Sequence, residues 1–123
     1  EWKEAFSSVD QQDYHRYSGS IGNLLLLSMS INASLQNDGF DDKKKPKLNE
    51  SGEKVRNGYS DGSHSEIAVS QNNHWGPEEI EKRGKTLLAF MEDRWKFKFK
   101  DEQTKTDLLF LNGSANFQRY IER

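Results

Sequence analysis

The sequence predicts an α+β fold, a short strand-and-helix unit followed by a mainly helical region with short strands. Three observations carry that prediction. The continuous run Leu24 to Leu27, bounded by Gly22 and Ser28, has the length and flanks of a buried strand. Gly76-Pro77-Glu78-Glu79 opens a segment whose apolar residues recur at helical spacing. Between them, residues 40 to 63 shift to lysine, asparagine and glycine.

With 123 residues the chain is long enough for one domain with a modest core and too short for two ordinary ones. A single domain over 1–123 is therefore expected. Within it, residues 20–45 form the strand and helix, 46–63 a polar loop and 64–123 the helical region. Hydrophobic residues are only 33% of the chain and the mean hydropathy is −1.01. The apolar residues are clustered, however, and net charge is low, which favours a folded, loop-rich domain over disorder.

Taken in order, residues 1 to 19 hold scattered aromatics without a sustained period, although Trp2 and Phe6 share one face of a short helix. After the leucine run, Ser28 or Ser30 caps a helix whose Ile31 and Leu35 lie one turn apart, and Asp38-Gly39 stops it. A long loop then begins with Lys43-Lys44-Lys45-Pro46. Ser63-His64-Ser65-Glu66 has capping-box spacing and opens a short helix carrying Ile67. From Pro77 to Trp95 the positions Ile80, Gly84, Leu87, Leu88, Met91 and Trp95 make one stripe, which reads as core packing. Trp95-Lys96-Phe97-Lys98-Phe99-Lys100 alternates as a half-buried edge strand would, with lysines outward. The same alternation suits stacking of single-stranded nucleic acid beside cations. Leu108 to Leu111 reads as a last short strand before Asn112-Gly113, and Phe117, Tyr120 and Ile121 suit a terminal helix.

Composition excludes several function classes. Lysine and arginine number 18 and aspartate and glutamate 20, a net charge of −2, so no global basic field draws the chain to nucleic acid. Any phosphate-binding surface is a local patch. The absence of cysteine removes disulfides, zinc-thiolate sites and thiol nucleophiles. No apolar run approaches a membrane span and no signal segment is legible, so the chain reads as a cytoplasmic piece of something longer. There is no glycine-rich phosphate cradle, no serine nucleophile motif and no histidine pair at metal-ligand spacing. What remains for chemistry is Asn23 at the start of the leucine run and Asn32 on the helix after it.

At these residues the sequence resembles a family. Ser20-Ile-Gly-Asn-Leu-Leu-Leu-Leu-Ser28, followed by Asn32, Ser34-Leu35, Asn37, Phe40 and Lys43, is similar to the C-terminal HNH-type nuclease domain of GmrSD-like restriction proteins. A softer block continues through Gly58-Tyr59, Gly62-Ser63, Glu66, Trp75, Ile80, Arg83 and Arg94-Trp95. The resemblance implies a partial ββα-metal core and a metal-dependent DNA endonuclease of a prokaryotic defence system. It also implies a partner, an N-terminal ParB-like domain that hydrolyses nucleotides. In that frame Asn32 offers its carbonyl oxygen to Mg²⁺ or Mn²⁺, a hard cation that suits oxygen ligands. Asn23 has the role of fixing the loop that orients a catalytic histidine.

The general base of the family sits in an acidic-His-Ile-x-Pro strand upstream of the Gly-Asn-Leu block, and these residues hold no such segment. His15, within Asp13-Tyr14-His15-Arg16-Tyr17, has no apolar strand around it and no proline after it, and His64 and His74 match no family position. The expectation is that the piece begins just after its catalytic histidine, is inactive alone and binds no metal alone. Lys43, Lys44 and Lys45 are the candidate DNA-backbone contacts, with only Lys43 on a family position. Two rivals remain: a catalytically degenerate DNA-binding module, and a docking module that uses the helix over 77–95.

Overall fold

The computed structural model describes residues 2–27, 29–35 and 37–109. These fall into two compact units, one built from residues 2–5 and 25–75, the other from residues 6–24 and 76–109. The architecture is mixed, with helices predominating over one two-stranded antiparallel sheet.

In the first unit, α1 (Trp2–Ala5) comes first, and after Leu25 the chain runs extended to residue 27 and then enters α3 (Met29–Leu35). Leu35 is buried with Tyr59 and Val69, and Leu25, Leu27, Ile31, Phe40 and Trp75 pack around them. Strand-like alternation is present here, since Leu25 and Leu27 face this core while Leu26 is 97% exposed. The strand expected over 20–28 is nonetheless absent from the described residues. Residues 21–23 form a 3-10 turn, and the extended segment after it has no ladder partner among the described residues. A run buried on both faces needs neighbours on both sides, and among the described residues only one side of this segment has them.

Helix α4 (Phe40–Lys44) follows, then the hairpin of β1 (Lys47–Leu48) and β2 (Lys54–Arg56), so the segment expected as a polar loop is structured. The strands are two and three residues long, too short for periodicity to register. Asn49 Oδ1 closes their turn by accepting the N–H groups of Ser51 and Glu53 at 3.0 and 2.9 Å. After β2 the chain presses on the end of α4: a Cβ on Gly58 would lie 2.3 Å from the Lys44 carbonyl oxygen. The capping box forms as the sequence predicts, with Ser63 N–H donating to Glu66 Oε2 at 2.7 Å at the start of α5 (His64–Ser70). Phe40 and Trp75 stack with centroids 5.7 Å apart.

In the second unit, α2 (Gln11–Gly19) sets Tyr14 and Tyr17 edge-on to the buried Phe6 ring at 5.7 and 5.5 Å. This helix escaped the periodicity reading because its hydrophobic contribution comes from aromatics one turn apart and little else. Helix α6 spans Pro77–Trp95 as expected, with Glu79 Oε2 accepting the Gly76 N–H at 2.9 Å. Its stripe is buried at Ile80, Gly84 and Leu88, and Leu109 covers Gly84. The edge strand expected at 95–100 is absent: Lys96 adopts a left-handed conformation, φ 54°, and turns the chain back. Leu108 ends α7 (Glu102–Leu108) instead of opening a strand, and Asp101 caps that helix through Thr104 N–H at 2.7 Å. Leu109 caps the end of that helix, and residues 110–111 of the expected strand and the expected terminal helix lie outside the described residues.

Glu92 holds the turn between α6 and α7. Burial pushes its carboxyl up, but hydrogen bonds from Lys105 Nζ at 3.1 Å and Phe99 N–H at 3.0 Å outweigh this and leave it below the usual carboxylate range. A carboxyl depressed in the folded state stabilises above its unfolded pKa of about 4.3, and that contribution is lost as pH falls through the folded value. Glu92→Gln is therefore expected to flatten the acid limb of a urea-midpoint curve measured against pH. An unchanged limb would remove Glu92 from the acid response.

Candidate metal and DNA site

Asn32 is the fourth residue of α3 and is exposed, with Ile31 and Leu35 of the same helix turned to the core. Burying those two residues fixes which way the helix rolls, and so leaves the Asn32 amide in water. The end of the helix is held by Arg56. Its Nη1 donates to the Ser34 carbonyl at 3.1 Å and pairs with Asp38 Oδ2 at 3.0 Å, while Nη2 reaches the Asp42 carbonyl at 3.2 Å. The guanidinium thus ties the helix carrying Asn32 to the helix carrying the lysines. Sequence reasoning missed Arg56, because a single arginine ending a three-residue strand has no periodic context.

The three lysines are not equivalent. Lys44 is half-buried: its Nζ pairs with Asp41 at 2.8 Å, donates to the Asn72 carbonyl at 3.2 Å and lies 4.9 Å from the Phe40 ring centroid. The hydrogen bond and charge of Lys44 hold the Asp41 carboxyl below its usual range. Lys43 is half-buried and Lys45 exposed.

Asn23 belongs to the second unit, at the end of the 3-10 turn over Ile21–Asn23. Its Nδ2 donates to the Ser18 carbonyl at 3.2 Å, so its amide ties the turn back to the end of α2. Arg83 of α6 completes the hold. Nη1 lies 3.3, 2.8 and 2.8 Å from the carbonyls of Ile21, Gly22 and Leu24. Burial alone pulls the Arg83 pKa down from its ordinary value. Gly22 permits the approach, since a Cβ there would lie 2.0 Å from the Ile80 carbonyl oxygen.

The residues of the softer block have framing roles: Tyr59 is core, Ser63 and Glu66 form a capping box, Trp75 stacks on Phe40, Ile80 is fully buried and Arg83 clamps the turn. Burial and the nearby Glu66 carboxylate push the Tyr59 phenol up, with Arg56 opposing. His15, His64 and His74 are all exposed. Among the described residues no cluster of three or more His, Asp or Glu side chains is placed to hold a metal ion. Nor is any described helix long and apolar enough to cross a membrane.

The family model of the GmrSD restriction endonucleases, C-terminal domain, matches residues 1–90. No curated protein and no solved structure matches the chain. Residues 1–90 take in the leucine run, both asparagines, the lysines, Arg56 and the Arg83 clamp. The chain belongs to the C-terminal domain family of the GmrSD restriction endonucleases, enzymes whose substrate is DNA.

Proposed function

We propose that this chain is part of an HNH-type, metal-dependent DNA endonuclease and supplies one metal ligand and one loop-fixing residue to it. The observation that carries the reading is the exposed Asn32 on a helix whose roll and C-terminal end are both fixed, within the matched family segment. Asn32 would lend one hard oxygen to Mg²⁺ or Mn²⁺, with the remaining ligands coming from other parts of the enzyme. The metal, when bound, supplies charge stabilisation at the scissile phosphate. Asn23 orients: its amide and the Arg83 clamp hold the turn that leads into the leucine run. Lys43 and Lys45 meet the DNA backbone, and Lys44 serves the fold beneath them. The general base comes from outside these residues, since none of the three histidines stands in the acidic-His-Ile-x-Pro strand that the resemblance calls for. A nucleotide-hydrolysing ParB-like domain is the partner in the same reading.

The test is divalent-metal-dependent nicking of supercoiled plasmid by the enzyme extended upstream of Glu1, beside the same protein carrying Asn32→Ala. Nicking by the extended enzyme is expected to fall by about a hundredfold in the variant, and residues 1–123 alone are expected not to nick. Robust cleavage by residues 1–123 alone would overturn the external base. Undiminished nicking by Asn32→Ala would remove Asn32 from the site. If the extended protein binds DNA and never cuts it, the domain is a catalytically degenerate binding module.

A further inference from the structure

The segment after α6 has an arrangement that the nuclease reading does not use. Trp95, the last residue of α6, is 63% exposed, and Phe97 two residues on is 41% exposed. Both are large apolar rings at a surface, where each leaves area in water that a partner could cover. Their presentation is fixed. The left-handed turn at Lys96 reverses the chain, Phe97 N–H bonds the Glu92 carbonyl at 3.2 Å, and Phe99 N–H bonds Glu92 Oε2 at 3.0 Å. Phe99 packs edge-on beneath Phe97 with centroids 4.9 Å apart.

Cations alternate with these rings. Arg94, Lys96, Lys98 and Lys100 are all exposed. The two carboxylates of the stretch are spoken for: Asp93 pairs with Lys96 at 3.3 Å, and Asp101 caps α7. Arg94, Lys98 and Lys100 make no ion pair among the described residues. A chain of net charge −2 thus carries one short stretch of exposed rings and positive groups, beyond the segment matched by the family model.

We infer that Trp95, Phe97, Lys98 and Lys100 form a ledge that binds an unpaired DNA strand, stacking its bases on the rings and pairing its phosphates with the lysines. Charge selects a polyanion, and the rings select among polyanions. A duplex keeps its base faces stacked inside and shows only phosphates, sugars and base edges, so the ring faces would have nothing to stack on. A single strand offers base faces as well, at a spacing it can adjust. The inference rests on the reading of the domain as one that acts on DNA, and it adds the strand state that this surface takes.

The experiment is fluorescence anisotropy of a short labelled oligothymidylate titrated with residues 1–123 at low salt, beside the same strand annealed to its complement. Tighter binding of the single strand is expected, with quenching of tryptophan emission that disappears in Trp95→Phe. Trp95→Ala with Phe97→Ala is expected to weaken binding about tenfold or more, while Trp95→Phe keeps most of it. Lys98→Ala with Lys100→Ala should reduce the slope of log affinity against log salt by about 1.4. All four side chains are solvent-facing, so an unchanged circular dichroism spectrum is expected throughout. Preference for the duplex, no binding of the oligothymidylate, or equal binding by the double alanine variant would each overturn the ledge. So would self-association of the chain lost with Trp95→Ala, which would assign the rings to a protein contact. Plasmid nicking by the extended enzyme is a separate readout. If nicking persists without strand binding, only the ledge falls, and if strand binding persists without nicking, only the nuclease reading falls.

Discussion

Replacing Gly22 by alanine is expected to destabilise the unit that carries Asn23 by about 3 kcal/mol or more. The added methyl would sit 2.0 Å from the Ile80 carbonyl oxygen, 2.9 Å from its carbon and 3.0 Å from the Gly84 nitrogen. All three are backbone atoms of a long helix, so no rotamer change can make room, and the turn must separate from α6. Separation also strains the bonds from Arg83 to the Gly22 and Leu24 carbonyls, each 2.8 Å in the native arrangement. Urea denaturation followed by circular dichroism reads the effect as a lowered midpoint. Gly19→Ala is the control, because nothing lies within 4 Å of a Cβ there. A midpoint for Gly22→Ala equal to that of the control would show that the turn and helix do not pack this closely.

Arg56→Met should cost about 2 to 3 kcal/mol and loosen the frame around Asn32. The side chain is 6% exposed, and its removal leaves the Ser34 and Asp42 carbonyls without their donor. The ion pair adds less than a fully buried one would, since the Asp38 side chain is 41% exposed and solvent screens it. Arg56→Lys is expected to recover part of the loss, because one ammonium can serve Asp38 but cannot reach both carbonyls in a fixed fork. The Arg56 Nε is buried without a hydrogen-bond partner, so the lysine forfeits nothing at that atom. Hydrogen exchange at the amides of residues 37–44 should quicken in Arg56→Met ahead of the rest of the chain. Uniform quickening would mean that Arg56 supports the whole fold and not this corner.

Legibility in the sequence followed the amount of local signal each element carries. Helix α6 has a proline start, two acids in its first turn and a long apolar stripe, and its bounds come out as read. The Ser63 capping box is likewise a local motif with one geometry. The leucine run misled because apolar continuity reports burial and not pairing. Leu25 and Leu27 are partly buried, yet a ladder needs a neighbouring strand that no local pattern encodes. At 95–100 the ring-and-lysine alternation imitated a strand, while one left-handed residue at Lys96 decided the path. In the candidate site, Asn23 and Asn32 could be picked out only by resemblance, since a lone asparagine is ordinary in turns and helices. Lys44 looked the equal of its neighbours until Asp41, Asn72 and Phe40 were seen around it. Arg56 and Arg83 act on carbonyls remote in sequence, and such contacts leave no trace in spacing.

The Arg83 clamp has a bearing on how cleavage should be measured. Its three acceptors are peptide carbonyls, which do not titrate, and a guanidinium keeps its proton across the working range of an enzyme. The turn before the leucine run is therefore fastened by a contact indifferent to acidity, and dissolved ions weaken it less than they would a pair of exposed opposite charges. A pH–rate profile of the assembled nuclease can then be read as the titration of its proton-transferring groups, without a background from this turn coming undone.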